Sequence, residues 1–151
     1  MTIIHKTALL KYPVHQMFAL VDDIPSYPEF LPWCNSSRII SRTENIVEAE
    51  LEISQAGFNH RFSTRNTLID QKEIRMALIA GPFNRLDGKW QFTPLRSNAC
   101  KISLELEFEM SGALFSLTFG AIFNQIGNTM INAFSDRAKA LYSTANNENA
   151  D

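Results

Sequence analysis

Apolar and polar residues follow two different periods along the chain, and the change between them falls near residue 111. From residue 112 to about residue 143, apolar side chains recur at helical spacing, and no Asp, Glu, Lys or Arg lies between Ser111 and Ser135. A helix that is apolar around most of its circumference must be covered on most of its circumference. The pattern therefore predicts a long buried C-terminal helix, around which the rest of the chain is organised.

A membrane span is the alternative interpretation of this uncharged window. Amide side chains at Asn124, Gln125, Asn128 and Asn132 interrupt the window, and each would be costly in contact with lipid. We therefore favour a helix buried within a folded domain. We predict a single domain over residues 1–145 and a disordered tail over the polar residues 146–151.

The region before the helix reads mainly as strands. Residues 2–10 mix β-branched and apolar side chains and predict a first strand. Pro13 suits the first turn of a short helix, and Asp23 suits the cap of a second short helix. From Arg38 onward the period becomes two, and turn residues divide this region into about six further strands, the last from Lys101 to Met110.

One of these strands allows two interpretations, because Asp87-Gly88 is a strong hairpin dipeptide. A continuous strand instead aligns Leu86, Gly88 and Trp90 on one face, and its clean alternation favours that interpretation. Gly88 would then be a bulge or a point of close approach. Pro94 to Asn98 is predicted to be the turn that follows.

Strands linked by successive turns imply an antiparallel meander, and a sheet that twists and curls gains a concave face on which a helix can lie. The predicted fold is therefore α+β: a curved antiparallel sheet of about seven strands wrapped around a long C-terminal helix, with two short helices after the first strand. This helix-grip arrangement tends to leave a cavity between helix and sheet. The candidate lining is almost wholly apolar, which favours an apolar guest.

Composition limits the compartment and the partners. The chain has 151 residues, 45% of them hydrophobic, and a formal net charge of -2, and no stretch concentrates Lys and Arg. This balance argues against DNA and general nucleic-acid binding, although it leaves a specific ribosomal surface open. Cys34 and Cys100 match no metal-ligand spacing, and we expect no disulfide between them. The N-terminal residues lack a signal-peptide pattern, so we expect a cytoplasmic protein.

The sequence contains no recognisable catalytic constellation. No nucleophile motif, phosphate loop or metal-ligand spacing is present, so we predict no enzyme activity, no catalytic residue, no metal and no required cofactor. On the strand from Phe58 to Ile69, His60, Phe62, Thr64 and Asn66 share the concave face. A histidine in such a place is more often a hydrogen-bonded core residue than a ligand contact. Arg61 and Arg65 lie on the opposite face, as a solvated surface or as a ribosome contact.

The densest local signal is the segment Tyr27-Pro28-Glu29-Phe30-Leu31-Pro32-Trp33-Cys34. Its prolines fix the backbone, and its aromatic side chains suit a short rigid element clamped onto the sheet. A hydrophobic plug at one end of the core and a ligand-lining element are equally weighted interpretations.

This segment also carries a resemblance to a known family. Together with Gly81-Pro82-Phe83, Leu86, residues 90–94 and the closing Ala133-Phe134 and Arg137-Ala138, it resembles the coenzyme Q-binding, polyketide cyclase-like family of START domains. The resemblance runs in order from about Ile3 to Tyr142. One bacterial branch of the family includes ribosome association toxins, and the mitochondrial branch supports ubiquinone in respiration.

The resemblance implies a START-like helix-grip fold whose cavity holds ubiquinone or a similar polyprenyl lipid without catalysis. His60, Thr64 and Asn66 could hydrogen-bond a quinone head group, or merely each other. Phe83 has the opposite strand parity to Leu86, so we place it in the preceding loop, at the rim. The complete set of candidate ligand-binding residues is Phe30, Trp33, His60, Phe62, Phe83, Leu86, Trp90, Phe108, Phe119, Phe123 and Met130.

The alternative that the resemblance implies is a toxin that binds the large ribosomal subunit and blocks subunit association. Neither role excludes the other. Exposed apolar residues between Leu114 and Phe119 would also permit transient contact with a membrane, which would make the protein peripheral at the inner membrane.

Overall fold

The computed structural model describes residues 2–150, apart from the side chains of residues 113–117 and 144–150. Seven strands form one antiparallel sheet in the order β1-β7-β6-β5-β4-β3-β2, so β2 to β7 form a meander and β1 pairs with β7. The elements in chain order are β1 (Thr2–Leu10), α1 (Val14–Asp22), a 3-10 helix (Ile24–Glu29), β2 (Cys34–Arg42), β3 (Ile46–Gln55), β4 (Phe58–Ile69), β5 (Glu73–Ala80), β6 (Phe83–Arg96), β7 (Ala99–Met110) and α2 (Ala113–Ala150). The predicted α+β fold is confirmed.

Alternation of apolar and polar residues fixes which face of each strand is buried. On β7, Ile102, Leu104, Leu106 and Phe108 are at most 4% exposed, while the glutamates between them face outward. Because successive side chains point to opposite faces of a sheet, this pattern excludes any register shifted by one residue. The buried face of the sheet is the one that receives α2.

Helix α2 lies against the sheet through buried residues spaced three to five apart, namely Phe119, Phe123, Ile126, Ile131, Phe134 and Ala138. Gly127 permits the close approach to β1, because a Cβ at this position would lie 2.5 Å from Cδ1 of Ile4. The backbone of α2 continues to Ala150. The membrane contact predicted for Leu114 to Phe119 falls largely on side chains outside the described residues, and so does most of the predicted tail.

Strand β6 is continuous, as predicted. Gly88 pairs with Met76 on one side and Leu106 on the other, with no irregularity of register. A Cβ at Gly88 would lie 2.5 Å from Cε of Met76 and 2.9 Å from Cδ2 of Leu106. Of the two predicted roles for Gly88, close approach is therefore correct and a bulge is not.

Two strand boundaries differ from the prediction. Strand β2 begins at Cys34, four residues before the predicted change of period at Arg38, because the chain pairs with β3 as soon as Pro32 is passed. Strand β6 continues through Pro94 to Arg96, where a turn was expected. A register shift between Pro94 and Arg96 accommodates the proline, which lacks an amide donor for the ladder.

Neither a metal centre nor a spanning helix emerges from the described coordinates. No three His, Cys, Asp or Glu side chains among the described residues are grouped so that they could hold a metal ion. Within the same residues, no helix combines the length and hydropathy needed to cross a membrane. Cys34 and Cys100 are both buried free thiols.

Candidate functional site

Aromatic rings pack closely in part of the space between the sheet and α2. We call Phe62, Phe83, Phe108, Phe119 and Phe123 the aromatic cluster. The ring centroid of Phe123 lies 4.7 Å from that of Phe108 and 4.9 Å from that of Phe83, both in edge-to-face geometry. Such pairs add about 0.5–1.5 kcal/mol each beyond the burial of their area. The cluster therefore leaves little free space in this part of the interior.

The position of Phe83 corrects the sequence-based prediction. Phe83 is the first residue of β6, is 6% exposed and lies in the core, whereas a loop position at the rim was expected. A register shift between Phe83 and Arg85 places one extra residue in the strand. This bulge reverses the parity, so Phe83 and Leu86 both point inward although they are three residues apart.

A small cavity of about 70 Å³ adjoins the aromatic cluster. Six of the predicted ligand-binding residues line it: Trp33, Phe62, Leu86, Trp90, Phe123 and Met130. Further lining residues are Ile24, Tyr27, Ala49, Leu51, Thr64, Asn66, Met76, Gly88 and Leu106. Ligand pockets usually measure about 300–1,000 Å³, and one water takes about 30 Å³ of liquid volume. The cavity is thus far smaller than a usual pocket for a drug-sized ligand.

Two buried polar side chains stand at the cavity wall. Thr64 Oγ1 donates a hydrogen bond of 2.8 Å to Asn66 Oδ1, and the two residues are 9% and 7% exposed. Partners within one strand thus satisfy part of the hydrogen-bonding capacity that would otherwise be costly to bury. Two of the three inward polar groups of the prediction, Thr64 and Asn66, therefore bond each other.

His60 lies apart from Thr64 and Asn66. Its ring centroid is 5.2 Å from that of Phe119 and 6.2 Å from that of Phe58, next to the aromatic cluster. His60 is not part of the cavity lining, and neither are Phe83, Phe108 and Phe119. The structure therefore distributes these residues over a cavity wall and an adjoining packed cluster, and Phe62 and Phe123 belong to both.

An open groove of about 600 Å³ lies between α2 and the segment that precedes β2. Trp33 belongs to the linings of both the groove and the cavity, so its ring forms part of the wall between them. The groove is lined by Phe30, Pro32, Trp33, Gln55, Gln125, Ile126, Thr129, Asn132, Ala133, Asp136, Arg137 and Ala140. Phe30, the eleventh predicted site residue, thus lines the groove and not the cavity.

Arg137 anchors the groove to the 3-10 helix. Its guanidinium carbon lies 5.1 Å from the ring centroid of Phe30, and its Nη2 lies 3.7 Å from Oε1 of Glu29. The Nε atom of Arg137 is buried and has no hydrogen-bond partner among the described residues. A cation held over an aromatic face, with a carboxylate nearby, is a stabilising contact between two elements.

Burial favours the neutral forms of Tyr27 and Cys34. Burial raises the pKa of the Tyr27 phenol, and its hydroxyl donates a hydrogen bond to the carbonyl oxygen of Val21. Burial, reinforced by the charge of Glu52, raises the pKa of the Cys34 thiol to about 11. Because the thiolate is the nucleophilic form of cysteine, Cys34 is unreactive near neutral pH.

Ion pairs cover the outer face of β2 to β4. Arg61 Nε lies 3.0 Å from Glu52 Oε2, and Arg65 Nη2 lies 3.7 Å from Glu48 Oε2. The hydrogen bond from Asn35, together with Arg61, holds the pKa of Glu52 below its usual value. The charges of Arg61 and Arg65 are thus balanced by carboxylates of the neighbouring strand.

Strand parity alone would have found several of the lining residues that the sequence reasoning missed. Ala49 and Leu51 alternate with the outward glutamates of β3, and Leu106 alternates with those of β7. Met76 could not be predicted from strand parity alone, because its place opposite Gly88 depends on the pairing of β5 with β6. Tyr27 came from the 3-10 helix, whose orientation no periodicity specifies.

The helix-grip architecture and its apolar interior define a class of small-molecule and lipid-handling domains. The family described as polyketide cyclase / dehydrase and lipid transport matches residues 10–135, and the chain belongs to this family. The Zhui aromatase/cyclase from Streptomyces sp. R1128 shares the fold, with a TM-score of 0.82 over 94% of this chain and 97% of that one. Its sequence identity is 14%, so this likeness concerns the fold alone.

More similar sequences belong to bacterial toxins. The chain is 46% identical over 141 residues to the ribosome association toxin RatA of Pseudomonas aeruginosa, covering 93% of this chain and 98% of that protein. It is 44% identical over 140 residues to RatA of Escherichia coli K12, covering 93% and 89%. The mitochondrial coenzyme Q-binding protein COQ10 homolog B of Xenopus laevis is 28% identical, and the alignment covers 91% of this chain and 58% of that protein.

Proposed function

We propose that the protein acts as a ribosome-directed toxin that binds the large ribosomal subunit and blocks subunit association. The observation that carries this proposal is the similarity to RatA proteins, at 44–46% identity over nearly the full length of both chains. The alignments span nearly the whole domain, so the similarity is not limited to one element. This proposal reverses the order of the two functions that the sequence alone favoured.

The interior supports a function located on the surface. The aromatic cluster packs under part of α2, and the cavity next to it measures about 70 Å³. Thr64 and Asn66, the polar groups nearest this cavity, already bond one another. In this conformation, binding to a large partner therefore depends on exposed residues.

Ribosome profiles after induced expression test the proposal. We expect intact ribosomes to decrease and free subunits to accumulate, because a protein bound to the large subunit would obstruct the joining surface. Ala77→Val, an exposed change on β5, is a control that should act like the wild type. Unchanged profiles, at an expression level confirmed by immunoblot, would contradict the proposal.

A titration with purified subunits tests whether turnover is involved. If the protein acts by binding, subunit joining should be blocked only as the protein approaches one copy per large subunit. An enzyme would instead inactivate many subunits per copy. Inhibition at a hundredth of the subunit concentration would therefore overturn the non-catalytic interpretation.

Binding of a polyprenyl quinone, in support of respiration, is the second candidate. The lining of the cavity favours it, since the wall is apolar apart from Thr64 and Asn66 and an apolar guest would gain by burial there. The relation to COQ10 homolog B also supports it, at lower identity. A quinone ring would require the cavity to widen, and the shortest route is displacement of Trp33, which separates the cavity from the groove.

Mass spectrometry of lipid extracts tests this candidate. Protein purified gently from a quinone-producing host should carry stoichiometric quinone, and Trp33→Ala should accelerate uptake of added quinone by removing the wall. Phe30→Ala opens the groove without joining it to the cavity and serves as the control. Absence of lipid from the wild type, together with no uptake by Trp33→Ala, would exclude the carrier function.

A further inference from the structure

The cations of this protein separate into two groups. Seven of the eight arginines form ion pairs with carboxylates, and none of the six lysines does so, in the part of the chain that the structure describes. The side chains left without an ion pair are Lys6, Lys11, Lys72, Lys89, Arg96, Lys101 and Lys139. Any surface that attracts a polyanion must draw chiefly on this second group, because paired cations present little net charge.

Four of these unpaired cations lie at one end of the sheet. Lys11 directly follows β1. On β7, Lys101 pairs with Leu9 of β1, and at the β6–β7 turn Arg96 pairs with Ala99. Lys72 precedes β5, and its carbonyl oxygen accepts a 2.8 Å hydrogen bond from the amide of Phe92. We call Lys11, Lys72, Arg96 and Lys101 the basic end.

The basic end forms a row across neighbouring strands. The strands β1, β7, β6 and β5 are adjacent in the sheet, and each contributes one exposed cation. Since neighbouring strands lie about 4.8 Å apart, the four positions span roughly 15 Å across the sheet. Along the strands they differ by roughly 10 Å, from Lys72 beside Phe92 to Arg96 opposite Ala99. Four positive charges in this length form a local field of one sign, although the whole chain has a net charge of -2.

Few carboxylates oppose this field. Asp70 lies in the same turn as Lys72, and Glu73 is already paired with Arg75 at 2.7 Å. Glu105, the first outward acid of β7, is four residues beyond Lys101, or about 13 Å along the strand. The acidic character of the chain is therefore displaced toward the middle of the sheet.

We propose that the basic end is the surface through which the protein contacts the phosphates of ribosomal RNA, an inference that rests on the proposed function. Unpaired lysine and arginine side chains in a row match a chain of phosphates, and such contacts need no apolar insertion. Leu9 and Leu95 are also exposed here, but β7 with Lys101 separates their strands. Single exposed apolar residues are ordinary, so an RNA backbone fits this surface better than a bilayer.

Two matched triple variants test the inference. K72Q/R96Q/K101Q removes three unpaired charges from the basic end, whereas K6Q/K89Q/K139Q removes three unpaired charges from elsewhere. Both variants change the net charge equally and break no ion pair of the described residues. Melting temperatures close to that of the wild type would confirm that both fold.

Co-sedimentation with purified large subunits at several salt concentrations provides the readout. Each lost phosphate contact should reduce the slope of log affinity against log salt by about 0.7–0.9. The basic-end variant should therefore lose roughly two to three units of slope and at least tenfold in affinity, while the control variant keeps both. Equal binding by the two variants would overturn the inference and leave the proposed function intact.

Two further outcomes separate the possible failures. If the wild type does not sediment with ribosomes, the proposed function fails and the inference falls with it. Flotation with phosphatidylglycerol vesicles forms the second arm. Vesicle binding that only the basic-end variant loses, with ribosome binding unchanged, would assign the surface to a membrane and overturn the inference.

Discussion

Ala49→Val is the most direct test of whether the interior holds usable space. Ala49 is 3% exposed and lines the cavity of about 70 Å³. Valine adds two buried carbon groups, which at about 0.8 kcal/mol each gives roughly 1.6 kcal/mol. A cavity of this volume costs about 1.7 kcal/mol at about 24 cal/mol per Å³. The two figures agree. Once some crowding of the added methyl groups is allowed for, we expect Ala49→Val to raise the free energy of unfolding by about 1 kcal/mol.

Urea denaturation and thermal melts of Ala49→Val and Ala77→Val together provide the measurement. Ala77 is an exposed residue of β5, so valine there gains the same preference for a strand without filling the cavity. The difference between the two variants isolates the cavity. A gain of 1 kcal/mol should raise the melting temperature by about 2–4 °C in a domain of this size.

Destabilisation of Ala49→Val by more than about 1 kcal/mol relative to Ala77→Val would refute the reasoning, because it would indicate overpacking of a rigid wall.

The same variant connects stability with function. A surface-acting toxin should keep its effect on ribosomes with the cavity filled, whereas a quinone carrier should lose bound lipid. A folded Ala49→Val variant that no longer blocks subunit association would contradict the placement of the activity on the surface.

Three further variants test packing and charge. Trp90→Leu should cost about 2–4 kcal/mol in urea denaturation, because Trp90 is 2% exposed; a loss below 1 kcal/mol would mean that it does not support the core. Gly127→Ala should destabilise by about 1–3 kcal/mol through its collision with Ile4, whereas Gly120→Ala, with its nearest contact at 3.4 Å, should be neutral or stabilising. Glu52→Gln should be less stable than the wild type near neutral pH. The lowered pKa of Glu52 means that its contribution is present above the unfolded value of about 4.3 and is lost as the pH falls through the folded value. A stability difference between Glu52→Gln and the wild type that does not shrink as the pH falls below 4 would contradict this.

Strand parity explains why the sequence predicted so much of the fold. Outward glutamates at every second position of β3 and β7 left one possible inner face, and the observed ladders use it. The same rule failed at Phe83, where a bulge inserts one residue. A bulge depends on pairing with another strand, so the period of a single strand does not reveal it.

The size of the cavity could not be predicted in the same way. Residue types indicated an apolar lining, but the free volume depends on how closely α2 approaches the sheet. That distance follows from contacts such as Gly127 against Ile4 and Phe123 against Phe108, which join residues far apart in the chain. Periodicity reports which face is buried and carries no information on the gap between two faces.

Partners of charged residues were equally hidden. Arg61 and Arg65 looked like candidates for a polyanion because they share an outward face, yet the acids of β3 balance both. Nothing in the sequence indicated that Arg96 and Lys101 lie near Lys11 and Lys72, since a turn and a strand edge separate them along the chain. Only the order of the strands places them in one row.

The closed interior and the basic end together suggest how a lipid-handling scaffold can serve a ribosome-directed role. Rings such as Phe123 and Phe83 fill part of the interior without a guest, and the bond from Thr64 to Asn66 removes part of the cost of buried polar groups. Stability then no longer depends on a ligand, so the sheet is free to present charge at its end. The two features are independent and can be separated by mutation: filling the cavity should leave the salt dependence of ribosome binding unchanged, and neutralising the basic end should leave the melting temperature unchanged. Coupling between these two measurements would mean that the interior still controls the surface.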